Sequence, residues 1–429
     1  MSNTSELTGK LHTEPVREQI RHLYGAGGNA TDKQIARYTR LAERHRELFG
    51  DRPGVQLISA PGRTEIGGNH TDHNRGRVLA AAVNLDALCA ASPRDDSTVR
   101  FHSEGYDPIE MDLADTSPRA DEEGTTRALI RGVADGMRRN GYRIGGFDAA
   151  VTSTVAGGSG LSSSAALEVM LTGVMDGLYN RFDMPYVLRA LVSQRAENVY
   201  FGKPSGLLDQ MASAAGGLVT IDFRDTKHPG VEVLSYDFAE KGYALVVTAT
   251  GGSHANLTDQ YAAIPAEMRE VAAFFGQDVL RGLTTAQLYE RMGELRKAVS
   301  DRAILRAFHF IREDERVPEQ VAALKEDRIG DFFSLIRESG RSSYMYLQNV
   351  FADSRDQSLG LALCMAEDLL GDKGAWRIHG GGFAGTTLNF VPLDMADGFM
   401  KEIDRAFGDG ACTVLNIRPA GAARIGMDP

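Results

Sequence analysis

Two stretches of this chain carry residue types and spacings suited to chemistry. The first is residues 157–166, Gly-Gly-Ser-Gly-Leu-Ser-Ser-Ser-Ala-Ala. Its glycines let the backbone curl tightly and approach a ligand without Cβ clashes. The run leads into a helical pattern in which Leu167, Met170, Leu171, Val174 and Leu178 share one face. The free N–H groups at a helix start carry partial positive charge, so loop and helix together make a seat for phosphates. Consecutive serines add hydroxyl donors and a candidate Mg2+ ligand. The same run also reads as an ordinary Gly/Ser turn with Ser162 as a helix cap. It is not a GxxxxGK[ST] loop, because no lysine follows the glycines. It is not a dinucleotide fingerprint, because the acidic residue that follows, Asp176, falls in mid-helix rather than at a strand end.

The second stretch is residues 61–74, Pro-Gly-Arg-Thr-Glu-Ile-Gly-Gly-Asn-His-Thr-Asp-His-Asn. Arg63, Glu65, Asn69, His70, Asp72, His73 and Asn74 crowd donors and acceptors between two apolar strand candidates. Such a cluster reads the hydroxyls of a polar ligand, or forms a solvated loop. The two histidines and one carboxylate are too sparse for a metal site.

Regular elements must hold these stretches. A short helix is expected over residues 16–24 and a longer one over 31–49, where Ile35, Tyr38, Leu41 and Leu48 recur near helical spacing and Gly50 ends the run. Strands are expected over 54–60, 78–85, 88–91, 98–102, 147–154, 218–223 and 243–250, with a Gly triplet and a strand within 376–391. A helix is expected over 125–140, another opens near Pro185 and stops by Gly202, and residues 260–350 read as mostly helical. The order of elements suggests α+β architecture, with a polar break near residues 224–230.

Composition narrows the classes. The 429 residues suffice for two lobes, and 42% apolar with 24% charged residues excludes a mainly disordered chain. A net charge of −11 argues against broad binding of nucleic-acid phosphates. Cys89, Cys364 and Cys412 lie far apart, without the spacing of a disulfide framework or zinc site. The first residues lack the apolar core of a signal peptide, and no apolar run reaches the ~20 residues that a membrane helix needs, so a cytoplasmic protein is expected.

Four ordered motifs make the chain resemble the GHMP small-molecule kinase superfamily and, within it, the galactokinases. Gly62-Arg63-x-x-x-x-Gly68-x-His70-Thr71-Asp72 is similar to the galactokinase signature. Gly160-Leu-Ser-Ser-Ser-Ala-Ala166 resembles the superfamily's phosphate loop, Gly206-Leu-Leu-Asp209-Gln210-Met211 the segment with the catalytic aspartate, and His379-Gly-Gly-Gly-Phe-Ala-Gly385 its third motif. The resemblance spans roughly residues 50–429.

It implies an α+β, two-lobed GHMP kinase fold, with a ribosomal protein S5 domain 2-like N-terminal lobe, a ferredoxin-like α/β C-terminal lobe and the active site in the cleft between them. The expected division is an extension over 1–30, an N-terminal sugar- and ATP-binding lobe over 31–226 and a C-terminal lobe over 227–429. The implied reaction transfers the γ-phosphoryl group of ATP to the C1 hydroxyl of galactose. Gly158, Ser159, Gly160, Leu161, Ser162, Ser163 and Ser164 would hold the phosphates, and Ser164 (or Ser163) with Glu197 would hold Mg2+. Asp209 would take the sugar's proton or hold the hydroxyl in line, with Arg63 beside it. Glu65, Asn69, His70, Thr71, Asp72, Gly206 and Tyr261 would meet the sugar. The implied partners are the sugar and ATP; no nucleic acid or membrane is expected, and the sequence leaves the oligomeric state open between monomer and weak dimer.

The chain departs from the galactokinase pattern at four places. Asn69 stands where Glu is usual, Glu65 where Asn is usual, His73 replaces a common Tyr, and Ala-Ala-Ile-Pro265 follows Tyr261 in place of a basic run. Neutral Asn69 widens the expected substrates to galacturonate, N-acetylgalactosamine or arabinose types, while Glu65 opposes a uronic acid if it points inward. A catalytically silent sugar sensor is the alternative of a different class, disfavoured by the intact Gly-Leu-Ser-Ser-Ser-Ala-Ala loop.

Overall fold

The computed structural model describes residues 3–25, 29–155, 160–251, 257–383 and 385–426. It opens with three helices, α1 (Thr4–Leu11), α2 (Glu14–Tyr24) and α3 (Ala30–Phe49). The expected helix at 16–24 is therefore α2, and α1 precedes it unforeseen. Both are short and amphipathic, and they hold together by burying Leu7, Leu11, Ile20 and Leu23 with Tyr38 of α3 against sheet residues Leu57 and Leu88.

Next come β1 (Gln56–Gly67), β2 (Arg77–Pro93), β3 (Thr98–Ser103), β4 (Ile109–Asp112), α4 (Thr126–Arg139), β5 (Phe147–Ser153) and α5 (Ser163–Tyr179). Then follow α6 (Tyr186–Arg195), which continues into a π-helical turn at Ala196–Phe201, α7 (Leu208–Ala215), β6 (Leu218–Asp222) and β7 (Gly230–Leu234). β1 runs seven residues beyond the expected end at residue 60. The half of the signature that reads as a polar loop is thus strand, because Arg63, Thr64 and Glu65 pair with Ala82, Ala81 and Ala80 of β2. Register shifts between Pro61 and Arg63 and between Glu65 and Gly67 interrupt that ladder. Such irregularities bend a strand and re-aim its side chains. The expected strands at 78–85 and 88–91 are one long strand, β2.

The C-terminal half supplies β8 (Tyr243–Ala249), the helices α8 (Thr258–Phe274), α9 (Thr285–Glu290), α10 (Met292–Ala298), α11 (Asp301–Lys325), α12 (Ile329–Ser342) and α13 (Ser358–Leu370), then β9 (Ala375–His379), β10 (Thr386–Pro392), α14 (Ala396–Phe407), β11 (Cys412–Leu415) and β12 (Ala423–Ile425). The Gly triplet at 380–382 thus joins two strands rather than only preceding one.

Two sheets define the two lobes. The larger has the order β12-β1-β2-β5-β3-β4, with β6 and β7 continuing from β2; the smaller has the order β11-β8-β10-β9. β7 and β12, both beyond residue 226, pair into the larger sheet. Alternation along β8 explains how the smaller sheet is covered on both faces. Leu245 and Val247 face the main core with α12, while Ala244 and Val246 face α13 and α14. Phe238, Phe332 and Phe390 make edge and tilted contacts in that core, with ring centroids 5.0–5.6 Å apart. No helix among the described residues is long and apolar enough to cross a membrane.

Phe390 is fully buried at this junction. The substitution Phe390→Ala is expected to destabilise the protein by about 3–5 kcal/mol, seen as a lowered thermal midpoint. An unchanged midpoint would show that the two lobes do not depend on this aromatic contact.

Candidate active site

The end of β1 delivers Arg63, and the first turn of α7 delivers Asp209. Nε and Nη2 of Arg63 donate to the two carboxylate oxygens of Asp209 at 2.7 and 2.8 Å, a planar fork on a planar acceptor. The third guanidinium nitrogen donates to the carbonyl of Gly160, and the Arg63 backbone N–H donates to the carbonyl of Leu161 at 3.0 Å. The Ser162 hydroxyl donates to Asp209 at 2.6 Å. Serine loop, guanidinium and carboxylate therefore converge, although nearly 150 residues of chain separate the last two. The side chains of Arg63 and Asp209 keep 11% and 30% exposure, so the pair borders open space. Burial would raise the Asp209 carboxyl, but the Arg63 guanidinium and the Ser162 hydroxyl outweigh it and hold it below the ordinary carboxylate value.

Ser162 occupies the position before α5 but does not cap it; its φ is 57° and its hydroxyl is spent on Asp209. Gly160 has φ +74°, and a Cβ there would lie 2.7 Å from Thr386 Oγ1 and 2.9 Å from His379 Nδ1. Only glycine fits both the left-handed backbone and the close approach of the other lobe. His379 bonds Thr64 and Thr386, both at 3.0 Å. Burial and the neighbouring Arg63 keep it well below its usual pKa, so it is neutral. Gly158 and Ser159 lie outside the described residues, and Ser163 opens α5.

Ser164 donates to Glu197 at 3.1 Å, and Lys203 reaches the same carboxylate oxygen at 2.8 Å. The other oxygen accepts from Ser205 and, at 2.8 Å, from Gln210, which also bonds Glu168 at 3.0 Å. The buried Glu168 retains one oxygen without a partner, and burial together with the Glu197 charge pushes its pKa well up. A hydroxyl and a carboxylate oxygen meeting beside an ammonium form a hard-oxygen donor set already neutralising one positive charge. That chemistry fits a divalent cation such as Mg2+.

On the other side of Arg63, Asn69 is fully buried and its amide is fully engaged. It donates to Glu65 at 2.9 Å and to the Gly380 carbonyl at 2.7 Å, and accepts from Asn349 at 2.9 Å and Ser343 at 3.2 Å. Glu65 is paired with buried Arg377 at 2.8 Å; burial nevertheless raises its pKa. Thr71 is likewise turned into its own loop, bonding the carbonyls of Gly68 and Arg77. His70, with φ 57°, bonds the Gly381 carbonyl at 3.0 Å, and burial next to His73 lowers its pKa to about 4. Asp72 faces Gly206, where a Cβ would lie 2.2 Å from the carboxylate. The Tyr261 hydroxyl donates to the Gly382 carbonyl at 2.8 Å, and its ring meets Phe383 edge-on. The structure thus gathers Glu65, His70 and Tyr261 around the third motif and sets Asp72 against Gly206, whereas Asn69 and Thr71 brace the loop from within.

Sequence reasoning missed the residues that hold this loop. Glu313 of α11 accepts from the backbone N–H groups of Gly68 and Asn69 at 3.1 and 3.3 Å and from Ser339 at 2.6 Å. His309, one turn earlier, bonds the Asn69 carbonyl at 2.9 Å. Burial opposes ionisation of Glu313, but Arg316 and His309 overcome it and lower its pKa to about 2. A polar His-x-x-x-Glu pair inside the apolar run of Ala307, Phe308, Phe310 and Ile311 was the readable signal. Lys203, Gln210, Glu168 and Arg377 were missed as well.

With the geometry in place, comparison with known proteins is informative. The galactokinase galactose-binding signature matches residues 43–93, and the GHMP kinases N terminal domain matches residues 128–217. A galactokinase of Streptomyces coelicolor is 36% identical over 389 residues, 90% of this chain and 97% of that protein. A galactokinase of Actinobacillus pleuropneumoniae is 32% identical, covering 83% and 89%. Among solved structures, Lactococcus lactis galactokinase complexed with galactose superposes with a TM-score of 0.79 at 24% identity, covering 90% of this chain and 99% of that one. Methanococcus jannaschii mevalonate kinase has a TM-score of 0.61 at 15% identity, covering 85% and 99%. Likeness of this extent, over nearly the whole length of its relatives, places the chain in the galactokinase family of the GHMP kinases.

Proposed function

We propose that this protein is an ATP-dependent sugar kinase that transfers the γ-phosphoryl group of ATP to the C1 hydroxyl of galactose. The observation that carries this reading is the fork of Arg63 on Asp209 beneath the Ser162 hydroxyl and the Gly160 carbonyl. An ionised carboxylate there accepts the proton of the attacking hydroxyl, or fixes that hydroxyl in line. The guanidinium keeps the carboxylate charged and offers positive charge to the equatorial phosphoryl oxygens. Gly160, Leu161, Ser162, Ser163 and Ser164, at the positive end of α5, cradle the ATP phosphates, and Gly158 and Ser159 are assigned to the same phosphates by their place in the motif. Ser164 and Glu197 would hold Mg2+, which supplies charge neutralisation between phosphate oxygens. Glu65, His70, Asp72, Gly206 and Tyr261 face the sugar, and Asn69 and Thr71 act by keeping their loop in shape. The protein works in the cytoplasm on small molecules, as a monomer or weak dimer, with residues 31–226 and 227–429 as its two lobes except that β7 and β12 complete the sheet of the first.

One observation favours a second reading of the sugar. Glu65 is neutralised by Arg377, and Asn69 carries no charge, so this wall does not strongly repel a uronic acid. An ATP-consumption assay with galactose, galacturonate, N-acetylgalactosamine and arabinose is expected to give the highest kcat/KM with galactose. Turnover of another sugar without galactose would overturn that choice, and sugar and ATP binding with no product from any of them would favour a sensor.

Replacing Asp209 by Asn keeps the shape but removes the base. A loss of ~10²–10⁴ in kcat is expected, with nucleotide affinity, measured by calorimetry, near the wild-type value. A variant of undiminished rate would remove Asp209 from the reaction.

The pH profile gives an independent check. Because the Asp209 pKa is lowered in the fold, its pairing with Arg63 stabilises the protein fully above the ordinary carboxylate pKa of about 3.9 and loses that effect as pH falls through the lowered value. The acid limb of kcat/KM is therefore expected below that ordinary value. In Arg63→Met, burial acts on Asp209 without its main counterweight, so the limb of the residual activity moves to higher pH. A limb that stays in place would assign the titration to another group.

A further inference from the structure

The first helices and the catalytic strands meet at one buried carboxylate that no step above uses. Asp86 lies on β2 directly opposite Pro61, at the edge of the register shift that precedes Arg63. It is fully buried and accepts from the Tyr24 hydroxyl of α2 at 2.5 Å, the Arg37 guanidinium of α3 at 2.5 Å and the Ser59 hydroxyl of β1. The Tyr38 hydroxyl bonds that of Tyr24 at 2.6 Å. Arg418, also fully buried, lies 3.5 Å from the same carboxylate and donates to Ser59 at 2.7 Å.

Three arms lead from this hub to the chemistry. Along β1, Ser59 is four residues from Arg63. Across the sheet, the Asp86 N–H donates to the Thr154 hydroxyl at 3.0 Å and the Thr154 N–H donates to the Asp86 carbonyl at 2.9 Å, which fixes the end of β5 where the chain enters the phosphate-loop segment. Through Arg418, which donates to the carbonyls of Ala420 and Gly421 at 2.9 Å, the hub reaches the C-terminal end of α7. A Cβ on Gly421 would lie 2.1 Å from the Ala214 carbonyl, so these backbones are in direct contact. Asp209 stands at the other end of that helix. The sugar loop is held differently, by Glu313, His309 and Asp314 of α11.

We propose that Asp86 is a positioning residue for phosphoryl transfer: it fastens helices α2 and α3 to the strands that deliver Arg63 and the phosphate loop, so that these two helices support the nucleotide side of the site and not the sugar side. The inference rests on the kinase reading. A buried carboxylate shared by two guanidinium groups and two hydroxyls has few alternative geometries, and a misplacement of a catalytic group by about 1 Å costs up to ~10²-fold in rate.

The test compares Asp86→Asn, Tyr24→Phe and Leu7→Ala by steady-state kinetics with each substrate varied, alongside thermal midpoints. Leu7 belongs to the apolar cluster of the same helices, but its hydrocarbon side chain makes no hydrogen bond to the hub. Asp86→Asn is expected to lower kcat/KM for ATP by ~10-fold, and Tyr24→Phe to lower it less but in the same direction, both with KM for galactose within about twofold of wild type. Leu7→Ala is expected to lower the midpoint with kinetic constants unchanged. Wild-type kcat/KM for ATP in a folded Asp86→Asn overturns the proposal, as does a loss in Leu7→Ala equal to that in Tyr24→Phe at a matched midpoint. If Asp86→Asn does not fold, Tyr24→Phe is judged by the same criterion. Sugar-dependent ATP turnover by the unchanged protein, with galactose or another sugar of the panel, checks the kinase reading separately, and its absence with all of them would sink both.

Discussion

The two-point contact between the Arg63 guanidinium and the Asp209 carboxylate is the constraint on which the site depends. A carboxylate that close to other protein groups would drift towards its neutral form without a fixed cation. A lysine would supply charge but not the planar match that also fixes the orientation of both oxygens. The same guanidinium reaches the Gly160 carbonyl, so one side chain sets the distance between the base and the loop before α5. To bring it there, β1 departs from regular pairing just before Arg63. The catalytic geometry is thus paid for in lost sheet regularity rather than in an exposed flexible loop.

The sugar side follows a different design. Its loop has little regular structure, and its backbone groups are satisfied by the buried polar face of α11. Glu313 alone receives two backbone N–H groups and a serine hydroxyl. A buried network of this kind is stable only when its members are all partnered. The smaller sheet closes the arrangement, because the turn between β9 and β10 presents the carbonyls of Gly380, Gly381 and Gly382 to Asn69, His70 and Tyr261.

Much of this was legible in the sequence, and the parts that were not have physical reasons. Helices with a clear apolar stripe, such as α3 and α5, were readable to within a residue or a few. The phosphate loop and the signature were recognisable because glycine spacing and clustered polar residues survive as local patterns. The extent of β1 was not, since Arg63, Thr64 and Glu65 look like loop residues and become strand only through alanines on a partner strand. Asn69 illustrates the same limit: its type suggested contact with a ligand, whereas its four hydrogen bonds all go to residues far away in the chain or to buried Glu65. The partners of Glu197 and the role of α11 depend on side chains brought together by tertiary packing, which no local period records.

The last described strand has a bearing on how the polypeptide is made. β12 pairs with the start of β1, Ile425 opposite Leu57, and Gln19 of α2 bonds the backbone of Arg424 and Gly426. During synthesis the first lobe emerges from the ribosome with this edge of β1 unpaired, and it stays so until residues 423–425 clear the exit tunnel. The larger sheet is therefore completed only after the whole second lobe has been made, and in the interval its open backbone edge is a surface to which other nascent strands, or a chaperone, can attach.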